Sequence, residues 1–219
     1  MARAVVYDVD GTLYPLWPMR FYMIRELVWR FLHSPIRLLR EVRVLQVYRS
    51  MLDKMRGRPD EDTDATDPQL HATARKLGMK AADIHDTVHE WVAQRPLRFL
   101  PRIAKTDLLK TIITLNQRGI SQGVYSDYPP DCKLAALGLT GCFQAVIWSG
   151  QREVGQFKPS PKGFSEIARL LGVEPAEIVF VGDRPSRDGR GAQSVGMQFL
   201  HIKDFTPRRL CEMLGTEPL

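Results

Sequence analysis

The chain contains 219 residues, of which 44% are apolar, 26% are charged and 9% are aromatic. This length suits one globular unit, or one core with an inserted subdomain, and the composition excludes low-complexity disorder, collagen and a small disulfide scaffold. The three cysteines show no spacing typical of a disulfide framework or a zinc site. No apolar run reaches the roughly 18 residues that a membrane helix needs. The apolar run before Asp8 is too short for a signal peptide, so we expect a cytoplasmic protein.

The net charge of +6 is concentrated in one segment. Residues 14–58 contain ten lysines and arginines against three acids, a balance of +7, whereas the rest of the chain holds 21 basic and 22 acidic side chains. The acidic stretch that follows, residues 59–67, is predicted to be a solvated loop. Because the excess charge is local, the sequence does not indicate a general nucleic-acid surface, and we expect no nucleic-acid partner.

The first predicted elements are one strand and a long helical segment. The β-branched run at residues 4–9 predicts a strand that ends in an Asp10-Gly11 turn. From residue 16 to about residue 93, apolar residues recur at steps of three and four, which predicts about four helices and no strand. Two prolines within residues 95–102 indicate a linker.

Beyond residue 104, helices and strands alternate. Helices are predicted at residues 105–117, near 130–137, at 161–171, near 188–195 and at the C-terminus, with strands at 120–126, 144–148, 177–181 and 197–202. This alternation indicates parallel strands joined by helical crossovers, because a tight hairpin cannot join parallel neighbours. The predicted fold class is α/β: an open parallel sheet with an all-helical segment of roughly 80 residues inserted after its first strand.

Acidic and polar residues lie at the ends of three predicted strands. They are Asp8, Asp10, Ser126, Asp127, Asp183 and Asp188. Ligands of open α/β sheets bind outside the carboxyl ends of the strands, so we expect these side chains to surround one crevice. Several acids in one crevice repel each other unless a cation offsets their charge, and an oxygen-rich set suits Mg²⁺. Lys158, in a nearby loop of the sequence, could supply a further positive charge.

Four short motifs, in this order, resemble those of the haloacid dehalogenase superfamily. Residues 8–13 (Asp-Val-Asp-Gly-Thr-Leu) resemble the first motif, and Ser126 at the end of a hydrophobic strand resembles the second. Lys158-Pro159 resembles the third, and Gly182-Asp183 followed by Asp188 resembles the fourth. The resemblance implies a Rossmann-like core made of residues 1–15 and 97–219, with a helical cap made of residues 16–96. A cap that closes over the site favours a small phosphorylated substrate.

The resemblance also implies a Mg²⁺-dependent phosphatase that works through an aspartyl-phosphate. Asp8 would attack phosphorus, and Asp10 would protonate the leaving oxygen and then deprotonate the hydrolytic water. Mg²⁺ would be held by the Asp8 carboxylate, the Asp10 main-chain carbonyl and Asp183.

The remaining motif residues are implied to act on the phosphate. Ser126 and the Asp127 amide would bind phosphate oxygens, with Lys158 offsetting their charge. Asp188 would orient Lys158 or a metal-bound water rather than bind the metal directly.

The second aspartate of the first motif discriminates among family activities. Members that dehalogenate or cleave phosphonates resemble each other in lacking it, so Asp10 favours phosphate esters. Phosphomutases keep this acid, and a mutase therefore remains an alternative. A second alternative is a catalytically idle scaffold whose basic cap serves as a binding module.

Two further patterns compete with this interpretation. His85 and His89 share one helix face at the spacing of a zinc-hydrolase helix, but the residue type between them and the missing third ligand favour a solvated or interhelical face. Gly189, Gly191 and Gly196 resemble a dinucleotide-binding loop only superficially, because the third glycine is misplaced.

The basic segment interleaves aromatic residues with arginines. The aromatic residues are Trp17, Phe21, Tyr22, Trp29 and Phe31, and the arginines are Arg20, Arg25, Arg30, Arg37, Arg40 and Arg43. The favoured interpretation is a cap in which the rings pack inward and the guanidinium groups stay in water. Binding of an anionic substrate or partner, and contact with an anionic membrane surface, are the alternatives. The oligomeric state is not indicated.

Overall fold

The computed structural model describes residues 1–56 and 67–218. Within that part of the chain, five parallel strands form one sheet in the order β3-β2-β1-β4-β5. The strands are β1 (Ala4–Tyr7), β2 (Ser121–Ser126), β3 (Ala145–Trp148), β4 (Ile178–Gly182) and β5 (Gln198–His201). The predicted α/β class and open parallel sheet are confirmed. The solvated loop predicted at residues 59–67 lies outside the described residues, except for Asp67.

The first strand occupies the centre of the sheet. Tyr7 of β1 pairs with Val124 of β2 on one side and with Val181 of β4 on the other. The strand order therefore reverses at β1, and a crevice forms there at the carboxyl ends of the strands. Residues 8–13 follow β1 directly and so lie at this switch point.

Helices cover both faces of the sheet. They are α7 (Thr106–Gln117), α8 (Asp131–Ala136), α9 (Pro161–Leu171), α10 (Arg190–Ser194) and α11 (Pro207–Leu214). Because successive strand residues point to opposite faces, Val5 packs into one apolar layer with Ile112 of α7, while Val6 packs into the other with Phe164 of α9. The three inner strands, β1, β2 and β4, are buried on both faces, as expected of a parallel sheet.

The segment between β1 and β2 is helical, as predicted. Its main helices are α1 (Leu16–His33), α2 (Pro35–Met55), α3 (Pro68–Leu77) and α4 (Ala81–Val88), and α4 continues as a wider helical turn over His89–Gln94. Val44, Leu70 and Ile84 belong to a separate small apolar core formed by α2, α3 and α4. The division into a core and a cap at residues 15/16 and 96/97 stays a prediction.

Residues 95–102 do not form the predicted linker. They contain helix α5 (Arg95–Leu97) and the start of helix α6 (Leu100–Ile103), and the side chains of Phe99 and Leu100 are buried. The prolines that suggested a linker both lie in the first turn of a short helix, where no backbone N–H is required. The junction is therefore packed against the rest of the molecule.

The helical segment also contacts the sheet and the helices that cover it, together called the sheet domain below, close to the switch point. The Asp67 N–H donates a hydrogen bond to the Gly150 carbonyl (2.7 Å), and the ring of Tyr48 stacks on that of Tyr128 with centroids 6.2 Å apart. Within the described residues, no helix is both long enough and apolar enough to cross a membrane.

Candidate active site

Asp8 directly follows the central strand β1 and continues its pairing. Its N–H donates a hydrogen bond to the Val181 carbonyl (2.9 Å), which extends the β1–β4 ladder by one residue. The carboxylate is buried, and its Oδ2 accepts a hydrogen bond from the Thr12 hydroxyl (3.0 Å). The chain then turns at Gly11, whose φ of +102° only glycine adopts readily. A Cβ at Gly11 would lie 2.3 Å from Oδ2 of Asp183. The absence of a side chain at Gly11 therefore also leaves space for Asp183 of the fourth motif.

Lys158 joins two of the predicted acids. Its ammonium lies 2.8 Å from Oδ1 of Asp8 and 3.0 Å from Oδ1 of Asp188, and the side chain is buried against the rings of Tyr125 and Phe180. Burial alone would lower the pKa of Lys158, but Asp188 and Asp8 raise it above its usual value. The lysine is therefore held as a cation in contact with the first-motif aspartate.

Three carboxylates converge beside this lysine. One oxygen each from Asp8, Asp183 and Asp188 lies within 4.8 Å of the other two. Burial raises the pKa of Asp8 to about 8 even though Lys158 opposes the shift, and burial together with Asp188 raises the pKa of Asp183. Burial is the largest cause of both upward shifts and the neighbouring carboxylates add to it, in a group that holds three carboxylates and one lysine. An oxygen-rich group with excess negative charge suits a divalent cation such as Mg²⁺.

The carboxylate of Asp10 has different partners. Its Oδ1 and Oδ2 accept hydrogen bonds from the Lys133 ammonium (2.6 Å and 2.9 Å), and Oδ1 also accepts one from the Tyr14 hydroxyl. Burial alone would raise the pKa of Asp10, but Lys133 holds it below its usual value. Asp8 and Asp10 therefore have opposite pKa shifts although they are two residues apart.

Lys133 and Tyr14 were not predicted as site residues from the sequence. Lys133 is buried on the inner face of α8, where Pro130, Leu134 and Leu137 mark an apolar stripe at helical spacing. A lysine in such a stripe signals a buried partner, because an unpaired ammonium is costly to bury. Tyr14 lies four residues after Asp10, at the start of the helical segment, and no sequence pattern distinguished it from a core aromatic.

The second motif lies at the end of β2, as predicted. Ser126 is buried, and its Oγ accepts a hydrogen bond from the Tyr128 N–H (3.2 Å). The Asp127 carboxylate contacts Nη2 of Arg56 (2.9 Å) and accepts a hydrogen bond from the Ser149 hydroxyl (3.0 Å). Arg56 belongs to the end of α2, so an ion pair that the sequence did not predict ties the helical segment to this motif.

A cavity of about 680 Å³ opens onto these residues. Asp8, Asp10 and Asp183 line one part of it, together with Lys133. Met19, Met23 and Leu27 of α1 line another part. The cavity therefore combines a charged end with an apolar wall supplied by the helical segment.

The competing patterns do not join the site. His85 and His89 are exposed and their rings stack with centroids 5.6 Å apart, which agrees with a solvated helix face. Gly191 packs against Phe164, since a Cβ there would lie 2.1 Å from that ring. Gly191 therefore allows close packing of α10 on α9. Gly182, which belongs to the fourth motif, leaves space for the side chain of Asp188 in the same way.

Comparisons with known proteins agree with this arrangement. A family model described as haloacid dehalogenase-like hydrolase matches residues 2–196. The glyceraldehyde 3-phosphate phosphatase of Methanopyrus kandleri is 32% identical over 95% of this chain and 89% of its own length. The (S)-2-haloacid dehalogenase of Xanthobacter autotrophicus is 27% identical over 98% of this chain and 80% of its own length.

Solved structures agree on the fold. A HAD phosphatase from Thermococcus onnurineus superposes with a TM-score of 0.57 at 24% identity, and all of both chains is covered. A magnesium-bound HAD-hydrolase from Bacillus subtilis superposes with a TM-score of 0.62 at 17% identity over 98% of this chain and 99% of its own. With motifs that converge at the switch point and a family model that spans most of its length, this chain belongs to the haloacid dehalogenase-like hydrolase family.

Proposed function

We propose that the chain is a Mg²⁺-dependent phosphatase that hydrolyses a small phosphate ester through a phosphorylated Asp8. One observation carries the proposal: the buried Lys158, Asp8 and Asp188 and the half-buried Asp183 come from three separate motifs and meet in one cluster. A buried cluster of charges costs stability, so its presence at the switch point of the sheet points to a functional site. The relative from Methanopyrus kandleri, whose name is that of a phosphatase, supports the same activity.

Asp8 is the proposed nucleophile. Its carboxylate is held by Thr12 on one oxygen and by Lys158 on the other, so it is oriented before any substrate arrives. Attack on phosphorus would form an acyl phosphate and release the alcohol, which divides one difficult hydrolysis into two easier steps. Lys158 would offset the negative charge of the phosphoryl oxygens during both steps.

Asp10 is the proposed acid and base. The lowered pKa caused by Lys133 favours the carboxylate form, which is the form that takes the proton from the attacking water in the second step. The first step needs the protonated form: Asp10 would donate this proton to the oxygen of the departing alcohol and so become the carboxylate. The proton that it then takes from water restores the acid form for the next turnover. Ser126 and the Asp127 amide are proposed to bind the phosphate, since the Asp127 carboxylate is engaged by Arg56 and Ser149.

The carboxylate cluster is also the proposed metal site. Asp8, Asp183 and the main-chain carbonyl of Asp10 would hold Mg²⁺, which when bound supplies positive charge that offsets the charge of the phosphoryl group. Asp188 lies within reach of the same position, but it also contacts Lys158 at 3.0 Å and accepts a hydrogen bond from the Arg184 N–H (3.0 Å). These contacts support the predicted orienting role for Asp188.

The same residues favour phosphate esters over haloacids. A dehalogenase is among the relatives, but a carbon–halogen bond releases halide and needs no proton donor. The Asp10 carboxylate with its Lys133 and Tyr14 contacts would serve no purpose in that reaction. A phosphomutase could use the same pair, and it would transfer the phosphoryl group without releasing inorganic phosphate.

The test is release of inorganic phosphate from an aryl phosphate by the full chain with Mg²⁺. We expect Asp8→Asn to abolish the release, whereas Asp131→Asn, the same change at an exposed residue of α8, should leave it unchanged. Chelation should stop the reaction of the wild-type chain and Mg²⁺ should restore it. Retention of more than about one percent of wild-type turnover by Asp8→Asn would refute the covalent mechanism.

The substrate class is tested with a panel. Glyceraldehyde 3-phosphate, phosphoserine and phosphoglycolate represent the substrates in the names of relatives. A 2-haloacid should give no halide release. Turnover of the aryl phosphate with none of the panel would confirm the reaction and redirect the search for the natural substrate to larger or more apolar esters.

A further inference from the structure

Helix α1 presents an apolar stripe to solvent. The stripe consists of residues spaced by three or four positions, which places them on one helix face: Trp17, Phe21, Ile24, Val28 and Leu32. All five side chains are exposed, Trp17 by 77% and Leu32 by 73%. Phe31 and Trp29 border the stripe, and Ile36 and Leu39 at the start of α2 extend it. The prediction that the aromatic rings pack inward is therefore wrong for most of them, and holds for Tyr22, which stacks on Phe99 (4.5 Å).

The opposite face of α1 carries charged side chains beside apolar ones. Glu26 is buried and forms ion pairs with Arg95 (3.0 Å) and Arg98. Arg30 reaches the buried Glu41 of α2 at 2.9 Å. A surface helix normally turns its one apolar stripe to the core and its charges to water. Helix α1 buries Met19 and two charged side chains on its inner face and leaves a second apolar stripe in solvent.

The exposed charges that α1 and most of α2 contribute all have one sign. Between residues 16 and 52 the two acidic residues, Glu26 and Glu41, are buried, whereas Arg20, Arg25 and the group Arg37, Arg40, Arg43 and Arg49 are exposed. An interface between two copies of this face would bring arginines together without an exposed carboxylate from the same face to pair with them. An anionic surface, by contrast, complements these charges and has room for the apolar side chains.

We propose that the outer face of α1 and the start of α2 docks on a bilayer that contains anionic lipids. The apolar stripe would enter the boundary between headgroups and acyl chains, and the arginines would contact lipid phosphates. A helix of 18 residues lying in the plane of the surface offers about 27 Å of contact. This mode needs no membrane-spanning helix. It is independent of the reaction proposed for the active site.

The docking face adjoins the active-site cavity. Arg20 and Ile24 are exposed on α1 and also line the cavity that contains Asp8 and Asp10. A bilayer in contact with this face would therefore lie beside the cavity, whose apolar wall is formed by Met19, Met23 and Leu27.

The experiment is co-sedimentation of the full chain with vesicles. One set contains phosphatidylcholine alone and the other contains phosphatidylcholine with phosphatidylglycerol, each at low and high salt. We expect binding to the anionic vesicles at low salt, weaker binding at high salt because screening reduces the attraction, and little binding to the neutral vesicles.

Two pairs of variants separate the apolar from the charged contribution. Trp17→Ser with Leu32→Ser should weaken vesicle binding by about tenfold or more, whereas Leu170→Ser with Ile113→Ser, at exposed apolar residues elsewhere, should not. Arg40→Glu with Arg43→Glu should weaken binding by at least about tenfold. Lys203→Glu with Arg209→Glu changes the net charge equally on another surface and should leave binding unchanged.

Three results would overturn the proposal. The first is absence of binding to anionic vesicles at low salt. The second is equal loss in a matched control: in Lys203→Glu with Arg209→Glu it would mean that net charge alone drives adsorption, and in Leu170→Ser with Ile113→Ser that any exposed apolar residue contributes equally. The third is a wild-type dimer in solution that Trp17→Ser with Leu32→Ser converts to monomer while vesicle binding stays the same, which would assign the face to a second copy of the chain. Thermal melting and aryl phosphate turnover of every variant verify that it is folded.

Discussion

The sheet domain and the helical segment bury charge for different purposes. In the sheet domain, Asp8 and Asp188 are buried where they line the cavity, and Lys158 is buried in contact with both. In the helical segment, Glu26 and Glu41 are buried between helices, and their arginine partners hold one helix against the next. The buried charges of the sheet domain form the proposed reaction centre. The buried ion pairs of the helical segment hold charged side chains of α1 inside and leave apolar ones on its outer face. Burial of a charge therefore does not by itself identify an active site.

The largest expected effect is that of Lys158→Met. The substitution leaves Asp8 and Asp188 without their shared cation, so we expect at least about a 100-fold loss of turnover and a loss of about 3 kcal/mol in the free energy of unfolding without Mg²⁺. Chemical denaturation and aryl phosphate hydrolysis measure the two effects. Lys110→Met, at an exposed residue of α7, is the control. Normal turnover of Lys158→Met would show that the buried ion pair is only structural, like those of the helical segment.

Gly11→Ala tests the backbone of the site. A Cβ at this residue would lie 2.3 Å from Asp183 Oδ2 and would have to adopt a φ of +102°, so we expect about 1–3 kcal/mol of destabilisation and a tenfold or greater loss of turnover. Gly138→Ala is matched because its φ is also positive, at +72°, but no atom lies within 4 Å of the new Cβ. It should lose stability and keep its turnover per folded molecule. Equal losses of turnover in Gly11→Ala and Gly138→Ala would show that Gly11 has no special role in the site.

Glu41→Gln tests the buried charge of the helical segment. Burial alone would raise the pKa of Glu41, but hydrogen bonds from Arg30, Trp91 and Arg37 lower it below its ordinary value of 4.5. A carboxyl with a lowered pKa in the fold stabilises it fully above that ordinary value, and this contribution is lost as the pH falls through the lowered pKa. We therefore expect Glu41→Gln to cost about 1–3 kcal/mol at pH 7.

The pH dependence distinguishes this effect from a loss of packing. The stability difference between wild type and Glu41→Gln should shrink as the pH is lowered below the ordinary value of 4.5, while turnover at pH 7 stays near normal. Glu212→Gln removes an exposed ion pair with Arg208 on α11 and should change stability by about 0.5 kcal/mol or less. A difference that does not change with pH would mean that shape, not charge, matters at Glu41.

The smallest expected effect is that of Trp17→Ser on stability. The side chain is 77% exposed, so its loss should change the free energy of unfolding by no more than about 0.5 kcal/mol. By contrast, Phe164→Ala in the sheet domain should cost about 3–5 kcal/mol, because that ring is fully buried between α9 and the sheet. A large destabilisation by Trp17→Ser would mean that the ring supports the fold rather than an outer binding face.

Much of the sheet domain and its motif residues could be predicted from the sequence. Each of the three inner strands, β1, β2 and β4, is a short, mostly buried run that leads to a polar residue, and in a parallel sheet all such residues share one edge. This rule places Asp8, Ser126 and Asp183 at the same edge without knowledge of any contact. Boundaries were less accurate: the run at residues 4–9 was predicted as one strand, but β1 ends at Tyr7 because the chain begins to turn toward Gly11.

The residues that complete the site depend on long-range contacts. Lys133 meets Asp10 across 123 positions of the sequence, and Arg56 meets Asp127 across 71. No periodicity or motif spacing connects residues so far apart, since their proximity follows from how α8 and α2 pack.

By itself, the sequence determined the order of helices and strands, the edge of the sheet at which the acids gather and the local excess of arginine. Only the tertiary structure decided which face of α1 turns outward. The helix carries apolar residues on more than one face, so periodicity alone allows either face to be buried. The choice follows from the buried partners of Glu26 and Arg30, because ion pairs that neighbouring helices complete bring the charged face inward and leave Trp17, Phe21 and Leu32 in contact with solvent.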